Sequence, residues 1–390
     1  MSMQSALLAP RIFDGEAWHQ DAAVIVDGEH IEAIVPRSAV PARMAVETIE
    51  TGFIAPGFID LQVNGGGGVM LNDSRDAETI ATICAAHAQF GTTALLATLI
   101  TDTPAITAEA LEAGAEAERR KVPGFLGLHI EGPHLAVSRK GAHDPQLIRP
   151  MEETDLARLI AARGQVPVLL TTVATESVTP AQIRRLAEAG LVVSIGHSDA
   201  EYGDVVAAAE AGASMATHLF NAMSQIKNRE PGLAGTAIAL GGLSAGLVAD
   251  GIHVDPITIY IALRAKKQPG RIFLVTDAMA TIGTDMRQFT LNGRVIKREN
   301  GRLTLDDGTL AGADLDMISA VRFMHERIGL ELGEALRMAS LYPAMAVGMD
   351  RHYGRLDRGS RSDMVVLTDD LAIDSVRIGG SVVFCSGTPR

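Results

Sequence analysis

The 390-residue sequence predicts an α/β protein, a (β/α)8 TIM-like barrel joined to a small β-sandwich built from both chain ends. Three observations predict it. From Gly57 onward, short apolar strand-like runs alternate with amphipathic helix-like segments over roughly 300 residues, a length that favours closure into a barrel over an open doubly wound sheet. Both chain ends instead read as short strands. Finally, four polar residues, Glu131, His197, His218 and Asp277, each stand at or just past the downstream end of an apolar run, in GLHIEGPH, VVSIGHSD, MATHLFNAM and FLVTDAM. That is where the catalytic groups of such barrels converge. The expected organisation is residues 1–56 in the N-terminal part of the sandwich, 57–358 in the barrel and 359–390 in the C-terminal part of the sandwich.

Ala22 to Val26 and Ile31 to Val35 flank a turn at Asp27-Gly28, a pairing suited to positive φ. A helix over Asp76 to Phe90 puts Ile80, Ile83, Cys84 and His87 on one face and stops at Gly91. A strand over Thr92 to Leu99, an Ala/Glu-rich helix over Pro104 to Arg120 and a strand over Phe125 to Ile130 follow. Thr179-Pro180-Ala181-Gln182 supplies an N-cap, a proline at the first helical position and a glutamine at the third, opening a helix that Gly190 closes. Leu191 to Ile195 is the next strand. The alternation continues through a helix after Asp255-Pro256, a strand over Ile272 to Thr276 and a helix over Asp314 to Ile328. Met364 to Leu367, Ser375 to Ile378 and Val382 to Phe384 are too short and too β-rich for another barrel unit, so they are expected to rejoin the N-terminal strands.

Apolar residues make up 47% of the chain, enough for a large core, whereas aromatics are only 4% and the net charge is −13. Few stacking side chains and a negative field argue against a nucleic-acid partner, and a phosphorylated ligand would need a local basic pocket. Cys84 and Cys385 lie far apart and no apolar stretch reaches about 18 residues, so neither a disulfide framework nor a membrane span is indicated. Residues 1–10 lack the charged start and apolar core of a signal peptide, which makes a reducing cytoplasm the expectation.

His197 and His218 are separated by a helix-sized spacer and would come from consecutive barrel strands, about 4.8 Å apart, close enough for two imidazoles to bind one ion. Either histidine alone reads as readily as a satisfied core residue, and Glu131 alone as a surface carboxylate. It is the shared strand-end placement of all three that points to a metal. Asp277 alone would be an ordinary N-cap, but beside an ion that brings water's pKa down to about 7 it becomes a candidate general base. His129, His134 and His143 flank Glu131; one of them would polarise a carbonyl, and His129, inside the strand, reads as structural. The run Gly65 to Gly68 lacks the following Lys-Ser/Thr of a phosphate loop and reads as a tight loop near the site. Arg229 with Lys227 is a better anion site, although composition alone describes a solvated loop better than a binding pocket. His253 would join them from the next strand end.

At these segments the chain resembles the N-acetylglucosamine-6-phosphate deacetylases of the amidohydrolase superfamily. The matching stretches are PGFIDLQVNGGGG, GLHIEGPHL with KGAHDP, SIGHSDA, THLFNAM with REPGLAG, ADGIHVD, VTDAM and GTLAGADLDM, in that order and across the whole chain. The resemblance implies a barrel with a small β-sandwich, a homodimer, and hydrolysis of the acetamide of N-acetyl-D-glucosamine 6-phosphate to D-glucosamine 6-phosphate and acetate. It implies Glu131, His197 and His218 as metal ligands, Asp277 as base and later acid, and His143 as the group that helps polarise the acetyl carbonyl. Asp250, His253 and the backbone at Asn221-Ala222 would hold the sugar phosphate, Arg229 would reach it from the neighbouring subunit, and Ala142 and a Leu310-Ala311-Gly312 turn would line the sugar.

Many amidohydrolases hold a second ion with a His-x-His pair where this chain has Gln62-Val63-Asn64. Neutral amides are weak ligands, better suited to hydrogen-bonding a water or the substrate, so one divalent ion per subunit is expected. Zinc is the expectation, and Fe2+, Co2+ or Mn2+ would fit the same ligands. These residues do not separate sugar epimers, which leaves N-acetylgalactosamine 6-phosphate or another acetylated amine as an alternative substrate. A non-catalytic relative acting as an interaction module would be expected to have lost ligands, and here the set is complete.

Overall fold

A computed structural model describes residues 4–387. Eight parallel strands form the barrel: β1 (Phe58–Val63), β2 (Thr92–Ile100), β3 (Phe125–Glu131), β4 (Val168–Val173), β5 (Val192–Ile195), β6 (Met215–Ala216), β7 (Ser244–Leu247) and β8 (Ile272–Leu274). Each pairs with the next in chain order. All nine side chains of β2 are buried, because a parallel strand is covered on both faces, and this is why these segments read as unbroken apolar runs. The intervening helices start as their caps dictate. Asp76 accepts from the Thr79 N–H ahead of Ala77–Ala88, and Thr179 with Gln182 forms a capping box ahead of Pro180–Glu188.

The barrel closes between β8 and β1. The Asp277 N–H donates to Gln62 O at 3.0 Å and the Asn64 N–H to Ala278 O at 2.9 Å. Beneath them Asp60 accepts from Thr276 Oγ1 at 2.5 Å and from the Thr276 N–H at 3.2 Å. Burial pushes the Asp60 carboxyl up to about 7. Strand β8 ends at Leu274 rather than at Thr276, since Thr276 turns towards Asp60.

The two chain ends meet in one hydrogen-bonded set of eight strands. Phe53–Pro56 pairs in parallel with Ser5–Phe13 on one side and antiparallel with Met364–Leu367 on the other. One residue, Gly57, then leads into β1. A Cβ there would lie 2.1 Å from Thr93 Oγ1, so only glycine permits this close approach. Phe53 and Phe58 share one core cluster, which packs the terminal sheet onto the barrel.

One element escaped the sequence reading. Between β8 and the helix Met317–Glu326 stands an antiparallel four-stranded sheet of Gln288–Leu291, Arg294–Glu299, Arg302–Thr304 and Leu310–Ala313. Its first two turns are Asn292-Gly293 and Asn300-Gly301, with positive φ at all four residues, the geometry of tight hairpins. Phe289, Leu291, Ile296 and Leu303 of this insert pack against Met70, Ile100 and Met279 at the rim of the barrel. Among the described residues no helix is long and apolar enough to cross a membrane.

Candidate active site

Glu131 is the last residue of β3, His197 and His218 lie two residues past β5 and β6, and Asp277 lies three past β8. All four therefore gather at the C-terminal end of the barrel. Reaching it distorts the backbone: φ is +49° at His197, +26° at His218, +75° at Phe220, +46° at Ala222 and +52° at Asp277. Half of the ten non-glycine residues with positive φ among the described residues lie here. Each costs on the order of 1–3 kcal/mol, a concentration of strain typical of functional sites.

Three donor atoms form a small triangle. His197 Nε2 and His218 Nε2 each lie 3.2 Å from Glu131 Oε1 and 3.0 Å from one another. Tetrahedral ligands bonded at about 2.0–2.1 Å stand roughly 3.3 Å apart, so these edges fit a zinc-sized ion. His197 Nδ1 donates to Arg139 O at 2.8 Å, which leaves its Nε2 lone pair for the ion. His218 Nδ1 is buried without a hydrogen-bond partner. Burial alone would raise the Glu131 pKa, but His197 and His218 outweigh it and hold the carboxylate well below its ordinary range.

His143 also brings a ring nitrogen within 4.8 Å of donor atoms on Glu131 and His197. Its tautomer assigns it differently. Nδ1 meets Thr101 Oγ1 at 2.7 Å and accepts from the Thr101 N–H at 3.3 Å, so the neutral ring carries its proton on Nε2. Burial pushes its pKa down to about 3 and keeps it neutral. A neutral imidazole with Nε2–H is a hydrogen-bond donor towards the cleft, not a lone-pair ligand.

Asp277 is buried beside Glu131, and burial first, then that charge, pushes its pKa up to about 6. Gln62 Nε2 donates to Asp277 Oδ1 at 3.2 Å and to Glu131 Oε1 at 3.1 Å, while Asn64 Nδ2 donates to Asp277 Oδ1 at 2.7 Å. Both amides thus spend donors on carboxylates and leave Asp277 Oδ2 unengaged by them. Asn64 Oδ1 is buried and unpartnered, a free acceptor at the cleft.

The cleft has a volume of about 350 Å³ and is lined by Asn64, Glu131, His143, His197, His218 and Asp277, with Ala142, Asn221, Ala222, His253, Leu310 and Gly312 farther out. Four of the expected substrate contacts do not line this chain's own cleft, as expected for Arg229, which the resemblance assigns to a second subunit. Gln62 sits beneath the carboxylates it bonds. Asp250 stands behind His253, accepting from its Nδ1 at 2.6 Å. Ala311 belongs to a strand, not a turn, so the period of two turns its side chain away into the insert's core while Leu310 and Gly312 face the cleft. Arg229 is exposed and outside its own chain's cleft.

Ile100, Ser138, Arg139, Met279 and Thr309 also line the cleft and went unnoticed. Ser138 and Arg139 belong to a single 3-10 turn, Val137–Arg139, too short to carry a periodic signal. His129 is structural, as its position inside β3 suggested: it is buried, meets Thr172 Oγ1 at 2.7 Å, and burial pushes its pKa down to about 4. The glycine run makes the tight hairpin Gly65–Gly66 with Val69–Met70, with Gly65 O accepting from His87 Nε2 at 3.0 Å.

Residues 53–383 match the model of the amidohydrolase family, and residues 5–50 match the NagA composite domain. An N-acetylgalactosamine-6-phosphate deacetylase of Shewanella sp. (strain ANA-3) is 42% identical over 86% of this chain and 84% of its own length. An N-acetylglucosamine-6-phosphate deacetylase of Haemophilus influenzae is 34% identical over 93% and 94%. The crystal structure of N-acetylglucosamine-6-phosphate deacetylase from Pasteurella multocida superposes with a TM-score of 0.94 at 32% identity, covering 97% of this chain and 99% of that one. With its barrel, terminal sheet and Glu/His cluster, the chain belongs to the metal-dependent amidohydrolase family, among the N-acetylglucosamine- and N-acetylgalactosamine-6-phosphate deacetylases.

Proposed function

We propose that the protein hydrolyses N-acetyl-D-glucosamine 6-phosphate to D-glucosamine 6-phosphate and acetate, with one divalent ion, zinc, held by Glu131, His197 and His218. The observation that carries this reading is the 3.0–3.2 Å triangle of donor atoms beside a buried carboxylate of raised pKa, in one cleft. When bound, the ion supplies Lewis acidity to the acyl oxygen and makes water acidic enough to ionise near neutrality. Asp277 takes the proton of the attacking water, and its pKa of about 6 suits a base that must also return that proton. Gln62 and Asn64 fix the carboxylate's orientation, and Asn64 Oδ1 is placed to accept a hydrogen from the water or the substrate. The acyl oxygen gains negative charge as water adds, and His143 Nε2–H donates to it. Asp277 then protonates the departing nitrogen, without which an amine anion would have to leave.

His253, oriented by Asp250, and the backbone at Asn221-Ala222 hold the sugar phosphate from the other side of the cleft. The strong cation for phosphate is Arg229 of a second copy of the chain. Arg229 is exposed and has no ion-pair partner among the described residues, and its loop is tied back to the start of the preceding helix Tyr202–Glu210 by the Tyr202 N–H donating to Glu230 Oε1 at 2.8 Å. Ile226 in that loop, Tyr202 at the start of the helix Tyr202–Glu210, and Ile257, Tyr260 and Ile261 on the helix Pro256–Ala265 are exposed, Ile226 by 57% and Ile257 by 70%. Large exposed apolar side chains gathered on neighbouring helices favour burial against a partner, which supports a homodimer with Arg229 crossing the interface.

A second substrate reading has its own support, because the 42% identical relative carries the name of the galactosamine epimer. Acetate release measured side by side on the two 6-phosphates and on unphosphorylated N-acetylglucosamine separates them. A larger kcat/KM for the galacto substrate would reassign the substrate, and equal turnover of the unphosphorylated sugar would remove the phosphate from the reading.

A further inference from the structure

We infer that Ile100 and Met279 form an apolar wall that sets the length of the acyl group this site hydrolyses and restricts it to acetyl; the inference rests on the deacetylase reading above. The cleft is polar where chemistry occurs and apolar at Ile100, Ala142, Met279 and Leu310. Ile100 ends β2 and is followed by Thr101, which holds His143. Met279 follows Asp277 by two residues. The two side chains therefore flank the groups between which the acyl carbon must lie, the donor to its oxygen and the base for its water.

An amide carbon has three substituents. Its oxygen is drawn to His143 and its nitrogen must reach the proton on Asp277, so the alkyl group is directed to the remaining, apolar side. Ile100 and Met279 are only 5% and 2% exposed, and both belong to the cluster of Met70, Phe289, Leu291 and Ile296, so the insert backs them. Met279 is also confined at its other flank. A Cβ built on Gly312 would lie 2.6 Å from Met279 Cγ and 2.7 Å from its Sδ, so glycine there provides the space that the methionine fills. A wall packed on both sides has little room to retreat from a longer chain.

The chemistry does not depend on acyl length. In every case the water oxygen bonds to the acyl carbon, the carbon–nitrogen bond breaks, and the amine leaves with a proton while a carboxylate forms. Selection therefore comes from fit, and one methylene in an apolar pocket changes kcat/KM by about 10–200-fold.

The test uses the metal-loaded, full-length enzyme with N-acetyl-, N-propionyl- and N-butyryl-glucosamine 6-phosphate, comparing wild type with Ile100→Ala, Met279→Ala and the milder Ile100→Val. Wild type is expected to prefer acetyl over propionyl by at least about tenfold, and each alanine variant to narrow that gap by about tenfold or more. Ile100→Val, which removes one methyl group, keeps the test open if an alanine variant does not fold, and should narrow the gap by a smaller factor. Retained acetate release with an unchanged acetyl-to-propionyl ratio in the folded variants overturns the wall alone, as does a wild type that accepts both chains equally. No acetate release by wild type from either hexosamine phosphate overturns the deacetylase reading, and this inference with it.

Discussion

Asp277→Asn should sharply lower turnover and, at the same time, stabilise the metal-free protein at neutral pH. Burial and the neighbouring Glu131 raise the Asp277 pKa from its ordinary 3.8 to about 6. That is about two pH units, and at about 1.36 kcal/mol per unit it amounts to roughly 3 kcal/mol spent on holding the charge, an order-of-magnitude figure. Because the folded pKa lies above the unfolded one, the native state binds more protons than the unfolded chain between about pH 4 and 6. This contribution to wild-type stability therefore falls as pH rises through that window, and above it the full cost is present. Asparagine has nearly the same shape, and its oxygen still accepts from Gln62 and Asn64, but it carries no charge. Chelator-treated wild type and variant should unfold at similar urea concentrations at about pH 4, and the variant should be the more stable at about pH 8. With metal restored, acetate release should fall on the order of 10³-fold, because one residue serves both proton transfers. A variant that keeps more than a tenth of the activity rejects the role of Asp277, and one no more stable than wild type at about pH 8 rejects the cost assigned to its charge.

His143→Ala should lower kcat on the order of 10²- to 10³-fold with metal content unchanged; loss of the ion measured by elemental analysis would make His143 a ligand instead of a donor. Arg229→Ala should raise KM for the phosphorylated sugar by the equivalent of about 1.5–3 kcal/mol while leaving the fold intact. Mixed with Asp277→Asn, it should regain activity in hybrid dimers, and an unchanged KM would put the phosphate elsewhere. Wild type saturated with zinc and desalted should hold about one ion per chain, because Gln62 and Asn64 donate their amide hydrogens to carboxylates; a stable ratio near two would show that these amides have been misread.

What could be read from the sequence follows from what each segment must bury. Barrel strands are covered on both faces, so β2 and β3 appear as apolar runs, and a polar residue at the end of such a run stands out. This made Glu131, His197, His218 and Asp277 visible together. The insert follows another rule. Gln288–Leu291 alternates exposed and buried, and Arg294–Glu299 is RVIKRE, so no run stands out. The available signal was chemical: Asn292-Gly293 and Asn300-Gly301 mark two hairpin turns. Missing those strands turned Leu310 to Gly312 into a supposed turn, where the strand alternation instead buries the Ala311 side chain in the insert's core. It also concealed a tether, because Arg294 of the insert donates to the Ala142 carbonyl and so ties the insert to the loop that carries His143.

Gln62 and Asn64 show a deeper limit of sequence reasoning. Their type excluded a second imidazole pair, but their partners lie 69 to 215 residues away, and only the closed barrel brings them together. The same few residues both close the barrel and orient the Asp277 carboxylate, the proposed base. The Asp277 N–H bonds to Gln62 O, the Gln62 side chain bonds to Asp277 Oδ1, and Asp60 two residues earlier fastens Thr276. Loosening β1 from β8 would therefore displace the Asp277 carboxylate directly. A buried carboxylate held at φ +52° and at raised pKa is costly on both counts. Placing it where the barrel is fastened by backbone and side-chain bonds together offsets that cost with interactions the fold already needs for closure, which explains why amides rather than imidazoles at these positions are compatible with an active site.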